Sequence, residues 1–149
     1  MLVFSLKKYC RVLCIETSGM SKDFKTASSW VRQLRHRAKK HNLFNDLSIE
    51  EIHEVIESFD FKCCLCGGDY DLLDTCFPLK DSAPNIQANV MTLCKDCKSK
   101  KKNLDLLQMC SSGLITRQTL SDMLKSCFKR NHGDVFKSYV KALSGYIDG

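Results

Sequence analysis

Four stretches of the chain place apolar residues at helical spacing. The first, TASSWVRQLRHRAKKHNLF, sets Trp30, Val31, Leu34 and Ala38 on one side. Its other side is dense in Arg32, Arg35, His36, Arg37, Lys39 and Lys40. The second, LSIEEIHEVIESFDF, opens with Ser48 and Glu51 in capping-box spacing and repeats Ile49, Ile52, Val55, Ile56 and Phe59. Its outer face is acidic. The stretch KDCKSKKKNLDLLQMCSSG predicts one helix, entered at the second cysteine pair and ended near Gly113. Thr119 and Asp122 approximate a capping box for the next helix, whose stripe is Leu120, Met123, Leu124, Cys127 and Phe128. After an NHGD turn, Val135, Phe136, Tyr139, Val140 and Leu143 form a last stripe. The two terminal helices are expected to form a hairpin packed on the core. Between Phe61 and Asn103 there is room for a strand, a loop and a second strand.

These elements predict an α+β fold, mainly helical, packed as one domain. Its parts are an N-terminal extension (1–21), a basic and an acidic helix (22–60), a central module (61–110) and the terminal hairpin (111–149). A chain of 149 residues with 44% apolar and 27% charged residues suits a soluble globular protein. Its longest apolar run, Met1 to Phe4, is far short of a membrane span. Lys7, Lys8 and Arg11 break up what would otherwise resemble a signal peptide, so an intracellular, cytoplasmic location is expected. Met20 offers an alternative start, which would make Met1–Gly19 an appendage. The segment from Lys22 to His41 carries a net +6, equal to the formal charge of the whole chain. Positive charge is therefore concentrated there, unless the adjoining acidic helix pairs with it.

Ten cysteines then change the picture. Without an export signal they do not read as a disulfide scaffold. Cys63-x-x-Cys66 and Cys94-x-x-Cys97 have the spacing of two knuckles that share one tetrahedral structural Zn²⁺ through four thiolates. Gly67 and Gly68 supply backbone freedom behind the first pair. Cys64 reads as a spare, and Cys110 and Cys127 as core residues. Cys10 and Cys14, one helical turn apart, are a weaker candidate for a second metal site.

The central sequence FKCCLCGGDYDLLDTCFPLKDSAPNIQANVMTLCKDCKSKKKN resembles the zinc-bound ββα-metal module of HNH endonucleases. Cys63, Cys66 and Gly67 match the opening of that pattern, Asp74 and Pro78 its middle, Asn89 its loop, and Leu93, Cys94 and Cys97 its close. The resemblance runs from about Trp30 to Lys102, and the lead-in resembles phage and mobile-element members; for a phage protein the location would be the host cytoplasm. It implies a ββα-metal core flanked by N-terminal helices and the C-terminal hairpin. It also implies a catalytic Asp74 that would bind Mg²⁺ or Mn²⁺ in an active enzyme, with Asn89 in the same site.

Two departures bear on activity. Thr75 stands where the family has its general-base histidine, a loss that typically costs about 10²–10⁴-fold in rate. Lys98 stands where a final Asn or His would bind metal, and an ammonium there repels a cation. The site Asp74, Thr75 and Asn89 therefore reads as degenerate. No histidine lies between His53 and His132, both expected on solvated surfaces. Three functions are left open. The first is binding of nucleic acid, duplex DNA above all, without effective cleavage. Arg32, Arg35, Arg37, Lys39 and Lys40 would form one basic surface for it, and Lys95, Lys98, Lys100, Lys101 and Lys102 another. The second is an active metal-dependent endonuclease with a relocated base. The third is a zinc-stabilised module that docks a protein partner through the terminal helices.

Overall fold

The computed structural model describes residues 22–144. Met1–Gly19, Met20 and the pair Cys10 and Cys14 lie outside the described residues. The fold is mainly helical α+β. Helix α1 (Lys22–Lys40) and helix α2 (Ile49–Ser58) flank strand β1 (Asn45–Asp46). Strands β2 (Leu72–Thr75), β3 (Asn85–Ile86) and β4 (Val90–Leu93) follow, then helices α3 (Lys95–Lys101), α4 (Leu106–Ser111), α5 (Arg117–Phe128) and α6 (Gly133–Ser144). Among the described residues, no helix is long and apolar enough to cross a membrane.

The hairpin of β2 and β4 is the centre of the fold. It is antiparallel, with Leu72 opposite Leu93 and Thr75 opposite Val90. All four β4 residues are buried because each hairpin face meets a separate core. Leu73 and Val90 join Val31 and Leu34 of α1 and Ile52, Val55 and Ile56 of α2. Met91 and Leu93 join Leu106, Met109, Leu124, Phe136 and Val140 of α4, α5 and α6. A strand used on both faces reads as a continuous apolar run rather than an alternation. The sequence between Asn89 and Leu93 has that character.

Helix ends follow their local chemistry. Asn42, Asp60 and Gly113 close α1, α2 and α4 with left-handed backbone (φ 52°, 55° and 82°). In each case the next N–H reaches the carbonyl five residues back, as in Leu43 to Ala38 at 2.9 Å. At the start of α2, the Ser48 hydroxyl accepts from the Glu51 N–H, and Glu51 Oε1 accepts from the Ser48 N–H. The expected capping box is present.

Two expectations about helices are corrected. The single helix predicted from the second cysteine pair to Gly113 is two, broken at Lys102, whose φ is 53°. Asp105 begins α4 with its own capping box: it accepts from the Gln108 N–H at 2.8 Å, and Gln108 Oε1 accepts from the Asp105 N–H at 3.0 Å. The cap of α5 is Thr116, which accepts from the Thr119 N–H at 3.1 Å, so Thr119 lies inside the helix and not at its cap.

The terminal hairpin packs inward. Phe77, just after β2, meets Phe136 and Tyr139 edge-on at ring distances of 5.5 and 5.7 Å. The Tyr139 hydroxyl donates to the Asp81 carbonyl at 2.7 Å. The last stripe packs on the core through Val135, Phe136, Tyr139 and Val140, as expected, and leaves Leu143 49% exposed.

Candidate metal centre and basic cleft

The first knuckle is a tight turn. The Cys63 N–H donates to the Gly68 carbonyl, and the Gly67 N–H returns to the Cys63 carbonyl at 2.9 Å. Gly67 takes φ 76°, a conformation that a side chain would strain. The second knuckle straddles the start of α3, where Cys94 Sγ accepts from the Cys97 N–H at 3.4 Å. Together the sulfurs of Cys63, Cys66, Cys94 and Cys97 lie within 4.8 Å of one another. Cys66 and Cys94 are 3.7 Å apart. Metal–sulfur bonds of about 2.3 Å in a tetrahedron give edges of about 3.8 Å. The donor set therefore fits a metal ion.

The remaining thiols stand apart from this centre. Burial, then the neighbouring Cys63 charge, pushes the Cys64 thiol up to about 12, which suits a core residue and not a fifth ligand. Cys127 is buried 3.9 Å from Cys76, and Cys110 is half-buried. At the knuckle itself, burial raises the Cys63 thiol, and N–H groups of Cys66, Cys94 and Leu65 outweigh it, bringing it down to about 7.

Asp74 lies near the end of β2, facing α3. Its Oδ1 accepts from the Thr75 N–H at 2.9 Å. Its Oδ2 is held by two ammonium groups, Lys98 Nζ at 2.8 Å and Lys101 Nζ at 3.0 Å. Lys101 is only 1% exposed. Lys101, expected among the nucleic-acid-contacting lysines, is buried and paired with Asp74 at the base of the cleft. Lys98 and Lys101 sit three residues apart, on one side of α3, so both reach the same oxygen. Both oxygens of Asp74 are thus engaged, with two cations against one of them.

Asn89 is likewise occupied, but as a clamp. Its Oδ1 accepts from the Phe77 N–H at 2.8 Å, and its Nδ2 donates to the carbonyls of Phe77 (2.9 Å) and Pro84 (3.2 Å). It fixes the loop between β2 and β4, with both Nδ2 hydrogens committed, and is buried away from the cleft described below. Thr75 is buried, at 8% exposure.

Above Asp74 and Thr75 opens a cleft of about 370 Å³ between α1 and α3. The sequence suggested two basic surfaces; the structure joins parts of both across this space. Arg37 and Lys40 come from α1, and Lys98, Lys101 and Lys102 from the end of α3. Lys80 adds a further cation, and the walls also include His41, Trp30, Leu34, Pro78 and Leu79. Of these, Lys80, His41 and Trp30 were not read as site residues. Trp30 packs against the core as expected and also lines the cleft; with Leu34 and Arg37 it forms an i, i+4, i+7 stripe of α1 that His41 continues just past the helix.

The other predicted contacts fall elsewhere. Arg35 and Lys39 line a shallow depression with His36 and Asn45, and Arg35 donates to the Leu47 carbonyl at 3.0 Å. Arg32 and Lys95 are exposed. On the acidic helix, Glu51 accepts from Asn131 and Glu54 from Gln87, so these carboxylates are engaged away from the cleft. His53 is half-buried rather than solvated, and His132 pairs with Asp46.

A scan against protein-family models finds none that matches the chain, and a comparison with curated proteins finds no similar sequence.

Proposed function

We propose that this protein is a zinc-stabilised, HNH-endonuclease-like module that binds nucleic acid and does not cleave it. The observation that carries the reading is the double clamp of Lys98 and Lys101 on Asp74. In an HNH-like nuclease that carboxylate would hold the divalent ion that stabilises charge on the phosphate. Here two ammonium groups sit where the ion would act, and Thr75 supplies no proton acceptor at neutral pH. Beyond the cluster of Asp74, Lys98 and Lys101, four exposed cations, Arg37, Lys40, Lys80 and Lys102, line the cleft, which favours a polyanion. Zn²⁺ is the ion that four thiolates at these separations suit best, and its role is structural. The helix, hairpin and knuckle order, β2, β4 and α3 with cysteines before and after, is the feature that supports the HNH likeness. DNA is the polymer that likeness suggests.

Electrophoretic retardation across a salt series tests the binding. Retardation should weaken steeply with salt, and Arg37→Glu with Lys40→Glu should abolish it at moderate salt. Incubation of plasmid with Mg²⁺ or Mn²⁺ should leave it intact. Metal-dependent nicking that disappears in Asp74→Ala would overturn the non-cleaving reading, and absence of any nucleic-acid binding at low salt would overturn the rest.

A further inference from the structure

We infer that the cleft between α1 and α3 receives a single unpaired nucleotide, with its base against Trp30 and its phosphate on the cations above Asp74. This rests on the nucleic-acid reading and narrows it to strands, overhangs or frayed ends that can present such a nucleotide. The first ground is size. A cleft of about 370 Å³ lies at the low end of the span of about 300–1,000 Å³ for pockets that enclose one small ligand. That is the scale of one nucleotide and well below a stretch of duplex.

The second ground is the chemistry of the two walls. Trp30, Leu34, Pro78 and Leu79 make an apolar side, and Arg37, Lys40, Lys80 and Lys102 a cationic one. These four cations are exposed and form no ion pair among the described residues. The outside of a duplex offers phosphates and sugars, which complement only the cationic side. An unpaired nucleotide offers a flat π face and a phosphate together, and so complements both. Trp30 is half-buried, with part of its surface on the cleft, and it shares a helical stripe with Arg37. The spacing between ring and cation is therefore set by α1 alone. Meanwhile Lys98 and Lys101, paired with Asp74, form a floor and leave the outer cations to hold the phosphate.

Trp30 is the only tryptophan in the chain, so its fluorescence reports on this cleft alone. The metal-loaded full chain is titrated with four DNA probes: a mixed-sequence single strand, the same strand with abasic sites throughout, a blunt duplex closed by covalent caps, and that duplex with a single-stranded overhang. The single strand and the overhang should quench Trp30, whereas the capped duplex and the abasic strand should bind without quenching. Trp30→Leu keeps an apolar side chain against the core and removes the π face. It should weaken single-strand binding on the order of ten-fold and capped-duplex binding far less, and so erase the preference. Trp30→Phe should retain most of it. Binding to all four probes with equal affinity and no quenching would overturn the inference while leaving the nucleic-acid reading intact. Failure to bind any probe at low salt would instead remove the reading on which it rests.

Discussion

Asp74 is placed by its charge partners, Lys98 at 2.8 Å and Lys101 at 3.0 Å. A carboxylate shared by two lysines, one of them fully buried, is part of the fold's electrostatic balance. Removing it leaves the Lys101 ammonium in the interior with no counter-charge, a change that costs about 3–5 kcal/mol for a broken buried pair. Asp74→Ala should therefore lower the urea midpoint markedly, and adding Lys101→Met should recover most of the loss. The same pair governs any attempt to restore metal binding. Thr75→His with Lys98→Asn still leaves Lys101 on Asp74, so it should not bind Mn²⁺ in a calorimetric titration. Only the triple variant that adds Lys101→Met should do so. Manganese binding by the double variant would show that Lys101 yields its place readily.

The elements differ in how far they could be read before the structure. Stripes such as Ile52, Val55 and Ile56 fix which face of a helix is buried, because burial and spacing obey the same 3.6-residue period. The knuckles were equally legible, since C-x-x-C brings two sulfurs to one turn. Lys101 was not. A lysine inside a run of lysines reads as solvated, and only the position of β2 across from α3 makes its burial intelligible. The cleft was illegible for a related reason: it lies between helices some sixty residues apart in sequence, and no local pattern orients one toward the other. The break between α3 and α4 does carry a local signal, for Asp105 and Gln108 have capping-box spacing. That cap holds the kink that turns α4 toward the core, where the Leu106 N–H donates to the Cys76 carbonyl at 3.2 Å. Asp105→Ala should cost about 1 kcal/mol. For a chain of this size that is a fall of about 2–4 °C in the thermal midpoint, and an unchanged midpoint would mean that packing alone sets the kink.

At the scale of the molecule, the metal centre and the cleft are two ends of one device. Zinc would join the turn of Cys63 and Cys66 to Cys94 and Cys97, which bracket the first turn of α3. From there α3 carries Lys98 and Lys101 to Asp74 and Lys102 to the cleft rim. A helix of only seven residues has little stability of its own, so its position depends on what pins its start. Apart from the metal, that start is held by Cys94 Sγ and by Asp71, which accepts from the Lys95 N–H at 3.0 Å. The larger core of α4, α5 and α6 meets the metal ligands Cys63 and Cys97 at one edge, but most of its side chains, among them Leu106, Met109, Leu124, Phe136 and Val140, are apolar residues of the helices themselves. Chelation should accordingly act locally first. Nucleic-acid binding should fall and amide exchange rise across α3 while the α5 and α6 amides stay protected, and elemental analysis of the untreated protein should give about one zinc per chain. Because the ligands must be thiolates, the same loss should follow acidification, with metal released as protons compete for sulfur. Uniform exchange across all helices on chelation would show instead that the metal holds the whole fold, and that cleft and core cannot be separated.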